Sequence, residues 1–220
     1  MVERSKSTQS QTPEALRSWP SSGWESAGFP LRHRRRLLSE VKKLSPGDAT
    51  TQGLFMPWEG KARERALQAS QRICQGDGLI LLVGPRGTGK TQLATELALV
   101  LDRSLGERGR NRASYLYRPW GGLLDDEKAG WDRKENGRGA LYNAGGVGLL
   151  VLDEIQEVSH TEWSSTQLTR LIDDRYQNMR STIMIANLEL ESVQEFVGAS
   201  AWSRIKETGL VVPCDWGSFR

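Results

Sequence analysis

Gly84, Gly87, Gly89, Lys90 and Thr91 stand in the order G-x-x-x-x-G-K-T, directly after the apolar run Ile80-Leu81-Leu82-Val83. A loop that wraps a phosphate chain with backbone N–H groups must approach it closely, which suits positions without a Cβ. Lys90 supplies a mobile charge for β- and γ-phosphates, and the Thr91 hydroxyl is a ligand for the Mg²⁺ that accompanies them. Further along, Leu149-Leu150-Val151-Leu152 runs into Asp153 and Glu154. Asp153 suits the Mg²⁺ shell, and Glu154 suits activation of a water for attack on a γ-phosphate. Asn187 closes another apolar run, Thr182 to Ala186, where a neutral amide can position that water without competing for its proton.

These groups act together only if the elements that carry them end at one edge. The runs at 79–83, 149–152 and 182–186, a short one at 114–117 and a last one at Leu210-Val211-Val212 read as strands, the longer ones buried on both faces. Leu93, Ala94, Leu97, Ala98 and Leu101 recur at helical spacing, so a helix starts at the loop and turns its positive end to the phosphates. A second helix is predicted over 162–176, and Ala62, Ala66, Ala69 and Ile73 mark one buried stripe of a helical segment between Gly53 and Cys74. Strands alternating with helices predict an α/β fold, a P-loop NTPase three-layer αβα sandwich around a five-stranded parallel sheet. Right-handed crossovers then bring ligands to the strands' C-terminal ends.

The 220 residues hold one such domain with a short appendage. Residues 1–28, rich in Ser, Thr, Gln and Pro, read as a disordered or partner-binding tail; 29–52 as a basic linker or helix; 53–220 as the ATPase domain. Trp19 and Trp24 are either partner anchors or docked onto the protein's own surface. Of the formal charge of +3, the first 50 residues carry nine Lys/Arg against five Asp/Glu, so the basic excess is N-terminal. Arg32-His33-Arg34-Arg35-Arg36, with Lys42 and Lys43, is either a contact for phosphate backbone or a solvated helix face beside Leu31, Leu37, Leu38 and Val41. Five acids and four bases share 120–143, which is no simple phosphate-binding stripe despite Trp120 and Trp131. Cys74 and Cys214 lack metal-ligand spacing, and no apolar run reaches membrane-helix length, so a reducing cytoplasm and no membrane partner are expected.

The loop, then Leu150-Val151-Leu152-Asp153-Glu154-Ile155, then Asp174-Arg175-Tyr176 through Ile185-Ala186-Asn187-Leu188, together resemble the AAA+ ATPases of the DnaC/IstB group. The ending Val211 to Arg220 is similar to that group's last strand and W-x-S-[YF]-R tail, and Gly28-Phe29-Pro30-Leu31-Arg32 to the lead-in of its ATPase domain. The resemblance implies an ATP site at Gly84, Pro85, Arg86, Gly87, Thr88, Gly89, Lys90, Thr91 and Gln92, with Mg²⁺ on Thr91 and Asp153. It also implies Glu154 as the catalytic acid, Asn187 as sensor 1 and Arg204 as an arginine finger reaching a neighbouring subunit's nucleotide, while Ser200 stands where a second Arg is frequent. Only 33 residues follow Asn187, too few for the three-helix C-terminal lid, which the group also lacks. The implied function is ATP-dependent assembly into a ring or helical filament on DNA, nucleoid-associated, to load a replicative helicase; the alternative partner is a transposase, as for IstB-like regulators. A P-loop kinase is a rival, against which the Asp153-Glu154 pair and Asn187 favour water as acceptor. ATP as an assembly switch with negligible turnover is a third reading.

Overall fold

Five apolar runs pair side by side, in parallel, to make the sheet. The computed structural model describes residues 20–41, 58–76, 78–108, 114–132 and 139–218. In them β1 (Leu79–Val83), β2 (Tyr115–Pro119), β3 (Leu149–Asp153), β4 (Ser181–Ala186) and β5 (Gly209–Pro213) take the order β2-β3-β4-β1-β5. The three inner strands, β1, β3 and β4, are buried at every position, whereas β2 and β5 at the edges are partly exposed. The uninterrupted apolar runs are therefore the inner strands, covered on both faces.

Successive β1 residues serve the two faces. Ile80 and Leu82 pack with α1 (Ser22–Ser26), α2 (Leu31–Val41), α3 (Gly60–Gln75) and α4 (Lys90–Glu107). Leu79, Leu81 and Val83 pack with α5 (Trp120–Asp132), α6 (Ala140–Gly146), α7 (Glu162–Gln177) and α8 (Leu190–Thr208). The result is the expected three-layer α/β sandwich, and the predicted stripe Ala62, Ala66, Ala69 and Ile73 is the buried side of α3. The helix after β1 lies on one face and those after β3 and β4 on the other. The connections thus diverge at the C-terminal ends of β1 and β4, which opens the crevice where ligands of such sheets bind.

The N-terminal segment differs from the sequence expectation. Residues 20–28, read as tail, are part of the domain: the Ser21 hydroxyl and N–H donate to the Asp102 carboxylate at 2.5 and 2.9 Å, and Trp24 is fully buried. Trp24 stacks on Phe29 (centroids 6.1 Å apart), Phe29 packs on Tyr117 (5.4 Å), and the Tyr117 N–H donates to Ala27 O at 2.7 Å. The cause is long-range: Asp102, buried in α4, needs donors, and Ser21 with the Tyr115 hydroxyl (3.1 Å) supplies them. Of the two readings of Trp24, docking on the protein's own surface is the one realised. Trp19, Lys42, Lys43 and Gly53 lie outside the described residues, as do 109–113 of the basic connection, 133–138 and the final Phe219-Arg220.

At the opposite edge, Arg175 of α7 ties the layers together while fully buried. Its guanidinium donates to Thr182 Oγ1 (2.8 Å) and to the carbonyls of Ala144 (2.8 Å), Val147 (2.8 Å) and Ser181 (2.5 Å). Arg175→Met would leave those acceptors without their donor, at a cost of about 3–5 kcal/mol. In a chain of this size that lowers the melting temperature by roughly 10 °C. A thermal melt within 2 °C or so of the parent would refute this role. Among the described residues no helix is long and apolar enough to cross a membrane.

Candidate functional site

The loop between β1 and α4 is built around backbone that only glycine adopts readily. Gly84 has φ 131°, and a Cβ there would sit 2.7 Å from the Cys214 carbonyl oxygen; Gly89, the residue capping α4, has φ 84°. The loop is braced from behind by the chain's end. The Cys214 N–H donates to Val83 O (2.6 Å), the Trp216 indole N–H to Thr88 O (2.9 Å) and the Ser218 hydroxyl to Gly87 O (3.4 Å). Trp216 is a residue that sequence reasoning placed only by resemblance, and the contact gives it a physical task. Lys90 is buried, and its ammonium donates to Gly84 O and Pro85 O, each at 2.7 Å. Burial disfavours its charged form and lowers its pKa, while the two carbonyl dipoles hold the ammonium inside the loop, from where it can turn to an anion.

Asp153 meets Thr91. The Thr91 hydroxyl donates to Asp153 Oδ2 at 2.8 Å, the Tyr117 hydroxyl donates to the same oxygen at 2.6 Å, and the Glu154 N–H donates to Oδ1 at 2.8 Å. Tyr117, which the sequence placed in a strand and gave no role at the site, orients Asp153 from the neighbouring strand. Burial, with Asp153 beside it, raises its pKa, so it stays a donor. Glu154 has φ 53°, ψ 45°, a left-handed conformation costing about 1–3 kcal/mol for a non-glycine residue. It turns the chain from β3 into a short 3₁₀ segment, Ile155–Glu157, leaving Glu154 exposed at the strand end. Asn187 follows β4, held by its N–H donating to Gln156 Oε1 at 2.9 Å.

One cavity of about 620 Å³ takes in Gly87, Gly89, Lys90, Thr91, Asp153, Glu154 and Asn187, a volume suited to a small molecule. Arg86 and Gln92 of the predicted set also line it, Arg86 ion-paired to Glu157. Gly84, Pro85 and Thr88 shape the loop without lining the cavity. Arg204 is not brought to it: on α8 its Nε donates to Asp173 Oδ1 at 3.3 Å and its guanidinium lies over the Tyr176 ring, 4.9 Å from the centroid.

Three further lining residues come from α2: Arg32, His33 and Arg36. His33 Nε2 accepts from Arg32 Nε (3.1 Å), so Nδ1 carries the proton and donates to Gln92 Oε1 (2.7 Å). Burial lowers the His33 pKa and favours this neutral form. Gln92 donates in turn to Glu96 (3.0 Å), whose other oxygen accepts from the Trp58 indole (2.5 Å). Burial pushes the Glu96 carboxyl up to about 8. The basic run therefore serves neither reading wholly: Arg32, His33 and Arg36 face the cavity, while Arg34 donates to Phe29 O (3.1 Å) and Glu25 O. The i, i+4 spacing of Arg32 and Arg36 was the available signal.

A hydroxyl and a carboxylate 2.8 Å apart, beside the glycine-rich loop, fit a hard divalent cation that takes its remaining oxygens from phosphate and water. Among the described residues no group of three or more His, Cys, Asp or Glu is arranged to hold a metal.

No family model matches the chain. The replicative helicase loader DnaC of Buchnera aphidicola subsp. Acyrthosiphon pisum (strain APS) is 23% identical over 171 residues, 74% of this chain and 66% of that protein. The match thus spans just under two thirds of that relative's length. Among solved structures, the crystal structure of the DnaC helicase loader matches with a TM-score of 0.59 at 20% identity, over 74% of this chain and 94% of that one. AMPPCP-bound DnaA from Aquifex aeolicus matches with a TM-score of 0.57 at 21% identity, over 78% of this chain and 51% of that one. At these identities the structural likeness speaks for the fold.

Proposed function

We propose that this chain, which is similar to the helicase loader DnaC in sequence and in fold, is a DnaC-like AAA+ protein: a Mg²⁺-dependent ATPase that assembles on DNA and loads a replicative helicase. The observation that carries the ATPase reading is the convergence of Lys90, Thr91, Asp153, Glu154 and Asn187 on one cavity at the C-terminal edge of the sheet. Thr91 and Asp153 would hold Mg²⁺, which when bound offsets charge on the phosphate oxygens. Loop N–H groups and the α4 N-terminus bind the phosphates, and Lys90 turns from Gly84 O and Pro85 O to meet them. Tyr117 keeps Asp153 oriented. Glu154 takes the proton of the attacking water, and the Asn187 amide holds that water in line.

Arg204 lies apart from its own subunit's cavity, which supports a role across an interface, at a neighbouring copy's nucleotide. The assembly is then a ring or filament in which each site is shared. The helicase is favoured over a transposase because the DnaC likeness holds in sequence as well as in fold. The cellular place that follows is the cytoplasm, at the nucleoid.

The partner is tested with the full chain, ATP and Mg²⁺ in native mass spectrometry against the replicative helicase and the transposase from the same source. A stoichiometric complex with the helicase, lost on replacing ATP by ADP, is expected. Retention of the transposase alone would replace helicase loading with transposition control.

A further inference from the structure

We propose that α2 is the cover of the nucleotide cavity and that Arg32 and Arg36 bind phosphate oxygens of the nucleotide held by their own subunit. The inference rests on the reading of the cavity as an ATP site and adds to it an N-terminal set of ligands. Spacing of i, i+4 puts both guanidinium groups on one side of the helix, and both line the cavity. Both residues are exposed, and among the described residues neither has a carboxylate ion-pair partner. Two like charges one turn apart repel mildly, and an anion between them reverses the sign of that term.

The position of α2 is not free. Leu37 is buried in the core, Arg34 is tied to the backbone of Phe29 and Glu25, and His33 donates to Gln92 at 2.7 Å. Gln92 immediately follows Thr91 in the first turn of α4, so the helix bearing the two arginines is pinned to the turn on which phosphates would sit. The arginines are thus presented by a braced element, and a planar guanidinium can meet phosphate oxygens in a bidentate fashion. Phosphate is favoured over the base because the cavity already gathers Lys90, Arg86 and the loop around the same space.

The test uses the full-length protein and titration calorimetry with ATP, ADP and inorganic tripolyphosphate, on Arg32→Gln, Arg36→Gln and Lys90→Ala. Each arginine variant is expected to weaken ATP and tripolyphosphate by about tenfold or more, as befits loss of a charged hydrogen bond, with thermal melts unchanged because both positions are exposed. If Lys90→Ala binds ATP as the parent does, the ATP-site reading itself fails. If Lys90→Ala loses ATP while both arginine variants retain parental affinity, α2 is no phosphate ligand and this inference alone is overturned. Loss of ATP affinity with tripolyphosphate affinity intact would also overturn it, by assigning the arginines to the nucleoside.

Discussion

Lys90→Ala is expected to abolish nucleotide binding, weakening ATP at least a hundredfold in calorimetry or fluorescent-nucleotide titration. The side chain is buried with 4% of its surface exposed, and its ammonium is the buried charge of the loop, 2.7 Å from two carbonyls that a phosphate would displace. Removing it takes away a charge-assisted contact to two phosphates and leaves a cavity among polar groups that no other cation enters as deeply. The loop itself should persist, because Cys214, Trp216 and Ser218 hold its backbone independently of Lys90. A Lys90→Ala protein that melts like the parent and binds ATP with parental affinity would end the phosphate-loop assignment.

Glu154→Gln is expected to bind ATP normally and to lose turnover by about 10²–10⁴-fold, the usual contribution of a positioned general base. Gln keeps the shape and tolerates the same φ of 53°, so the 3₁₀ turn and the Asp153 contact to the Glu154 N–H are retained while the proton acceptor is gone. The proposed sharing of each site between subunits makes a second readout possible. Arg204→Ala subunits keep Glu154, and Glu154→Gln subunits keep Arg204, so mixing the two inactive proteins should restore part of the phosphate release. Turnover at the parental rate in Glu154→Gln removes it from the chemistry. Mixed assemblies that form yet stay inactive assign Arg204 to the α7–α8 contact with Asp173 and Tyr176 alone.

The strands were legible because burial on both faces demands unbroken apolar runs, and those runs are local. Their ends were less so: β2 continues to Pro119 and β3 to Asp153, since pairing between strands, in which Pro119 lies opposite Asp153, extends a strand past its apolar part. Charge patterning read Arg32 to Arg36 as a surface, which is true of the exposed Arg32, Arg35 and Arg36 but not of the half-buried His33 and Arg34, and is silent on what the surface adjoins. Asp102 carried no local sign that it would draw Ser21 from 81 positions away.

Chemistry in the loop and at the ends of β3 and β4 is written in residue type and spacing, because a phosphate-wrapping loop, its lysine and its hydroxyl are neighbours in the chain. The α/β class follows for the same reason, from periodicities that each segment displays alone. Packing across the chain is what brought Tyr117 onto Asp153, Trp216 behind the loop and α2 over the cavity, and what kept Arg204 away from it. A side chain's periodicity says which way it faces within its element, whereas its partner depends on how separate elements stack to bury their apolar faces and satisfy their buried polar groups.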